Sequence, residues 1–215
     1  MPGVENTLIA AVVVTITSLT LLLSRDWRVG IFILAVQYVG VFFLVSSSWP
    51  LMVAAIILIG GWISSIVLVM AVVSVPEMIQ AADQGGLSGS WRSPQWVVTF
   101  LRLMSERAFY ILAAFLILVV IGSQLSQVLI TFPDIPPQHA WSGLVLIGLG
   151  SLITGFSDRP LQITIGLMTW LSGFEILYAT VQSSLLMAGL LSGVNLALSM
   201  AGAYFLLAGQ MEQQV

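Results

Sequence analysis

Along this chain, long uncharged runs alternate with short clusters of arginine, aspartate, glutamate and proline. A bilayer core takes about 20 apolar residues per helix. Seven runs approach or meet that length: Thr7–Leu23, Val29–Val45, Pro50–Ser74, Ala108–Ile130, Ala140–Phe156, Leu161–Val181 and Ser184–Leu207. The second and third are separated only by "SSSWP", the sixth and seventh only by the "VQSS" region, so both joints are predicted to be tight hairpins.

The arginines test this count independently. Seven crossings put Arg25 and Arg28 in the first loop, Arg92, Arg102 and Arg107 in the third, and Arg159 in the fifth. Odd-numbered loops share one side of the membrane, so all six arginines fall together. The positive-inside rule makes that side cytoplasmic. The expected orientation has the N-terminus outside and the C-terminus inside, in the cell inner (cytoplasmic) membrane.

Residues 75–107 form the expected extramembrane piece. "DQGGLSGSW" reads as a flexible loop. Ser93 and Pro94 then resemble a helix cap with a first-turn proline. Trp96, Val97, Phe100, Leu103 and Met104 share one face beyond it, opposite Thr99, Arg102, Ser105 and Glu106. This predicts a short interfacial helix that runs into the fourth span.

Composition agrees with the pattern. Apolar residues make up 59% of the chain and charged residues 7%, against about 25% charged in soluble domains. Mean hydropathy is +1.07. Cysteine and lysine are absent and His139 is the one histidine, which removes thiolate, iron–sulfur and Schiff-base chemistry from this subunit. Asp134 and His139 are too few for a metal site. The net charge of -3 implies no polyanionic partner. The start, Met1–Asn6, lacks the positive region of a cleavable signal peptide.

Shifted by 133 residues, the chain matches itself without a gap. Ser18 falls on Ser151, Ser24 on Ser157, Gly40 on Gly173 and Gly60 on Gly193. In both copies a charged turn ("SRDW", "SDRP") joins the first two helices. The fold expected is an all-α integral membrane protein: seven transmembrane helices, as two parallel three-helix repeats plus one extra helix. Its units are 1–74, the loop and interfacial helix 75–107, the linking helix 108–131, and 140–208.

Polar residues inside the spans carry the candidate chemistry. Glu175 lies about 14 residues into its helix, roughly 21 Å from the cytoplasmic start. A charged group near the bilayer centre costs about 2.5–3.5 kcal/mol or more. Ser172, Tyr178 and Gln182 share its face, with Ile176 and Leu177 opposite. Asn195 lies on a polar stripe with Ser192 and Ser199, and Gln37 and Tyr38 sit near mid-membrane. Gln124 and Gln127 lie near the outer end of the fourth span. Two readings of Glu175 stand side by side: a protonatable relay member with Asn195, Gln37 and Tyr178, or a neutral acid that fixes helix packing. The repeat partner of Glu175 is Phe42, so only the second unit carries the acid. His139 reads as a turn or interface residue rather than a ligand. Trp27, Trp49, Trp91 and Trp141 fit interfacial belts, and "GLLSG" (Gly189–Gly193) is a small-residue pattern that permits close helix contact.

The stretch "SDRPLQITIGLMTWLSGFEIL" joins a charged turn to a helix with a glycine and a buried glutamate. It resembles the K subunit of respiratory complex I (chain 4L in mitochondria). The arrangement of three helices, one helix and three more is similar to hydrogenase-4 component E. The resemblance implies a non-catalytic membrane-arm subunit of a complex I-like or group 4 hydrogenase-like oxidoreductase. Such a subunit packs against antiporter-like subunits and holds no cofactor. It also implies that Glu175 belongs to a buried polar axis for redox-driven proton translocation. The chain departs from the family in three places. Glu175 lies about a turn further from the charged turn, and alignment on "IGLM" would put Met168 at the acid position. Asn195 stands where a second acid is expected. Ser64 and Ser65 occupy the region of an expected lysine. A small transporter or channel with its site between the repeats, or a purely structural subunit, are the other functions this sequence allows.

Overall fold

A computed structural model describes residues 2–24, 26–74, 95–182 and 184–211, with side chains for all of these except 2–4, 95–107 and 209–211. The expected loop, the Ser93 cap, Trp91 and the faces of the interfacial helix lie outside the described side chains. The described residues form seven helices: α1 (Pro2–Leu23), α2 (Trp27–Ser46), α3 (Leu51–Val73), α4 (Gln95–Thr131), α5 (Pro137–Gly155), α6 (Pro160–Val181) and α7 (Leu185–Met211). The expected hairpins are connections of a few residues, as their spacing demanded.

Six of the seven are long and apolar enough to cross a membrane; α5 is not among them. The protein is an all-α, multi-pass membrane protein. The low apolarity of α5 has a packing cause. It carries Gly143, Gly148, Gly150 and Gly155, and it is covered by α1, α4 and α6, so few of its side chains need to suit lipid. α4 is the opposite case. Among its described residues it packs mainly on α5 and touches the edge of α1, and it exposes Ile111, Leu112, Phe115, Leu116 and Val119.

The other six helices form two facing layers. α1–α2–α3 lie side by side, as do α5–α6–α7, and α1 meets α5, α2 meets α6, and α3 meets α7. Glycine sets the close approaches. A Cβ at Gly40 would lie 2.6 Å from Val14 and 3.6 Å from the Ala10 carbonyl; at Gly173 it would lie 2.6 Å from the Gly143 carbonyl and 2.9 Å from Ile147. Backbones in contact at such points gain dispersion that bulkier residues would forfeit.

Two ends of the bundle differ in character. At the hairpin end lie the 47–50 and 182–184 connections and the start of α5. At the arginine end lie Asp26, Arg28, Asp158 and Arg159. There Gln162 ties two turns together: its Nε2 donates to the Ser24 carbonyl at 3.5 Å, and its Oε1 accepts from Ser157 Oγ at 2.9 Å. At the hairpin end His139 Nε2 lies 2.9 Å from both the Leu44 carbonyl and Ser47 Oγ. A carbonyl only accepts, so Nε2 carries the proton. His139 is buried and clamps α5 to the end of α2, the interface member of the two readings the sequence allowed.

Candidate functional site

Apolar packing encloses a polar layer where α2, α6 and α7 meet. Tyr38, Glu175 and Asn195 are each fully buried. Tyr38 Oη donates to Asn195 Oδ1 at 2.9 Å, and Asn195 Nδ2 donates to Glu175 Oε1 at 2.9 Å. The amide is the centre of the chain: its Oδ1 accepts from the phenol while its Nδ2 donates to the carboxyl group. The three residues come from three helices, so the chain also fixes their mutual rotation. Tyr38 is seated by a glycine: a Cβ at Gly61 would collide with its ring.

Other polar atoms in the interior have no partner among the described residues: Glu175 Oε2, both ends of the Gln37 amide, Ser64 Oγ, Thr169 Oγ1 and Ser142 Oγ. Ser172, Ser65 and Ser199 bond back to their own helices instead. Each unpartnered buried group costs about 1–3 kcal/mol. Interhelical hydrogen bonds in membranes return on average only about 0.6 kcal/mol, at most about 1.7. The layer therefore adds little net stability, and stability does not explain why an acid stands there.

Of the four residues singled out in the sequence, Glu175 and Asn195 are in direct contact. Gln37 is fully buried but bonded to nothing described. Tyr178 is half-buried, and its ring packs edge-on against Trp49 at 6.3 Å and stacks on Phe174 at 6.0 Å. Gln182 is exposed beyond the end of α6. The residue that completes the chain is Tyr38, the neighbour of Gln37. Met168 is buried in the apolar cluster toward the arginine end, which also takes in the Tyr38 ring. Phe42 is half-buried against the cluster at the hairpin end.

Two further expectations change. Trp49 is buried, not at a lipid interface, and its Nε1 has no described partner. A methyl group added at Gly189 or Gly193, the two glycines of "GLLSG", would meet no described atom within 4 Å, so neither makes a close contact within this subunit. Trp141 does bridge helices, donating to Thr15 Oγ1 at 3.3 Å.

Comparisons with protein-family models, with curated proteins and with solved structures find no match for this chain.

Proposed function

We propose that this chain is a membrane-arm subunit of a complex I-like or group 4 hydrogenase-like oxidoreductase of the cytoplasmic membrane. Its contribution is the chain Glu175–Asn195–Tyr38, acting as a segment of a proton path. The observation that carries this reading is a fully buried carboxyl group in a bundle of membrane helices. One of its oxygens is held by Asn195 and the other is free to take or give a proton. The second acid expected from the resemblance is an asparagine here, and that asparagine touches the glutamate. An amide cannot carry a charge, but it orients the carboxyl and links it to a phenol.

The topology proposed with it has seven crossings, with α5 as the seventh, the N-terminus outside and the arginines inside. A duplication of a three-helix unit is part of the same proposal. It is supported by the paired contacts α1–α5, α2–α6 and α3–α7. The surroundings of Gly40 and Gly173 support it too, since the residues they meet are 133 positions apart in each case.

Purification in mild detergent tests the assignment. Antiporter-like and other membrane subunits are expected to co-purify, and a monodisperse free monomer that transports a solute would sink it. Within the complex, Glu175→Gln is expected to assemble normally and lose coupled proton translocation. Unchanged coupling in an intact assembly would remove the relay role.

A further inference from the structure

We propose that Tyr38 is a positioning residue for Glu175: its hydroxyl decides which end of the Asn195 amide meets the carboxyl group, and holds the N–H end there. This rests on the reading of Glu175 as the proton carrier and adds the group that sets how readily the carboxyl gives its proton up.

An asparagine amide has two ends of nearly the same size and opposite character: Oδ1 only accepts a hydrogen bond and Nδ2 only donates one. A carboxyl group has matching preferences in its two states. The ionised form only accepts, whereas the protonated form also donates. The end of the amide that faces Glu175 therefore favours one form over the other. An N–H favours the carboxylate, and a carbonyl favours the protonated acid. Glu175 and Asn195 by themselves would let the amide turn over with each change of state.

A third group prevents that. Tyr38 Oη donates to Asn195 Oδ1 at 2.9 Å, which leaves Nδ2 to meet Glu175 Oε1, also at 2.9 Å. Turning the amide would bring Nδ2 to the phenol and leave the phenol proton in need of a new acceptor. Ser172 does not serve: its hydroxyl is bonded to the Met168 carbonyl of its own helix at 3.0 Å. All three members of the chain are fully buried, so bulk water does not make up the difference. The phenol is itself fixed, because its ring rests on Gly61 and packs with Leu34, Leu68 and Met168.

The helices around Glu175 bring no competing charge among the described residues. α7 meets it with Asn195, and α2 with Tyr38 through that amide. α5 packs on α6 at Gly143 and Gly150, and its His139 is engaged at the end of α2. On α6 itself Tyr178 lies about one turn away, against Trp49. With the amide held, Oε1 keeps its N–H in both states. The proton enters and leaves at Oε2, which has no partner among the described residues.

The experiment uses the whole complex in detergent. The carbonyl band of protonated Glu175, identified by its loss in Glu175→Gln, is followed by infrared difference spectroscopy as the pH is raised. Tyr38→Phe keeps the ring on Gly61 and removes only the hydroxyl. The freed amide then turns Oδ1 to the protonated carboxyl. The band is expected to persist to about one pH unit above native, a tenfold gain in proton affinity. Ser172→Ala is expected to leave the titration where it was. In an Asn195→Ala background Tyr38→Phe is expected to add no shift, because the phenol acts through the amide. A native titration in Tyr38→Phe, a shift to lower pH, or an equal shift with and without Asn195 overturns the proposal. So does a Glu175 band that titrates in neither chain. Where Tyr38→Phe does not assemble, Tyr38→Leu carries the same expectation and is judged the same way. The band reports protonation whether or not the complex couples. The expected shift combined with unaffected coupling in Glu175→Gln would leave the positioning role standing and remove the relay.

Discussion

Glu175 and Asn195 differ in what a substitution leaves behind. Glu175→Gln keeps an oxygen to accept from Asn195 Nδ2, so its stability is expected to stay within about 1 kcal/mol of native. Glu175→Met leaves that donor buried and unpaired, which costs about 1–3 kcal/mol. Thermal unfolding in detergent separates the two. Both acid and amide were legible in the sequence, because a lone carboxylate stands out in an apolar run. Tyr38 was not chosen over Gln37 there: both are buried, and an apolar helix has no polar face to say which of two successive residues, about 100° apart, meets Asn195. His139 supports a further prediction. It lies ahead of the Ala140–Phe156 span, and burial lowers its pKa below the ordinary value of 6.5. Its Nδ1 is buried and has no partner to receive a second proton. The contribution of this clamp to stability is therefore present above pH 6.5 and lost as pH falls through the lowered value. Melting temperature in detergent is expected to drop between pH 7.5 and 5.5, and His139→Gln, which keeps an N–H donor, is expected to flatten that slope.

At the scale of the helix, apolar length predicted each element to within a few residues wherever a charged turn or hairpin ended it. It underestimated α1 and α7, which continue past their apolar runs because nothing in the sequence breaks them, whereas a helix running into the fourth span was expected and α4 begins at Gln95. What the sequence could not say is which glycine matters. Gly61 and Gly193 look alike in a pattern of small residues, yet one makes room for the Tyr38 ring and the other meets nothing within the subunit. Gly61→Ala must push Tyr38 off its seat, at a cost of about 1–3 kcal/mol, and should break the bond to Asn195. Gly193→Ala is expected to be nearly neutral for the isolated subunit. Unfolding in detergent, with tyrosine fluorescence or near-ultraviolet dichroism as the readout, checks both.

Across the whole molecule, the hydrophobic pattern carried the class and the multi-pass architecture, while the partnering of helices came from contacts that side-chain character alone does not encode. The two-layer arrangement places α5 where it touches protein on several sides, and this has a consequence for how the chain is made. A segment that begins with Pro137, Gln138 and His139 and carries four glycines gains little from lipid by itself. On the seven-crossing reading it has to enter the bilayer in the company of a neighbour. α6 is its closest partner, through the Gly143–Gly173 and Gly150–Gly166 contacts. A nascent chain that stops after Arg159 is then expected to leave α5 on the outer side, beyond the end of α4, as read by a glycosylation reporter, and one extended through Val181 to bring it into the bilayer. Biogenesis of this protein would thus proceed by the insertion of a helix pair, with the second member drawing in the first.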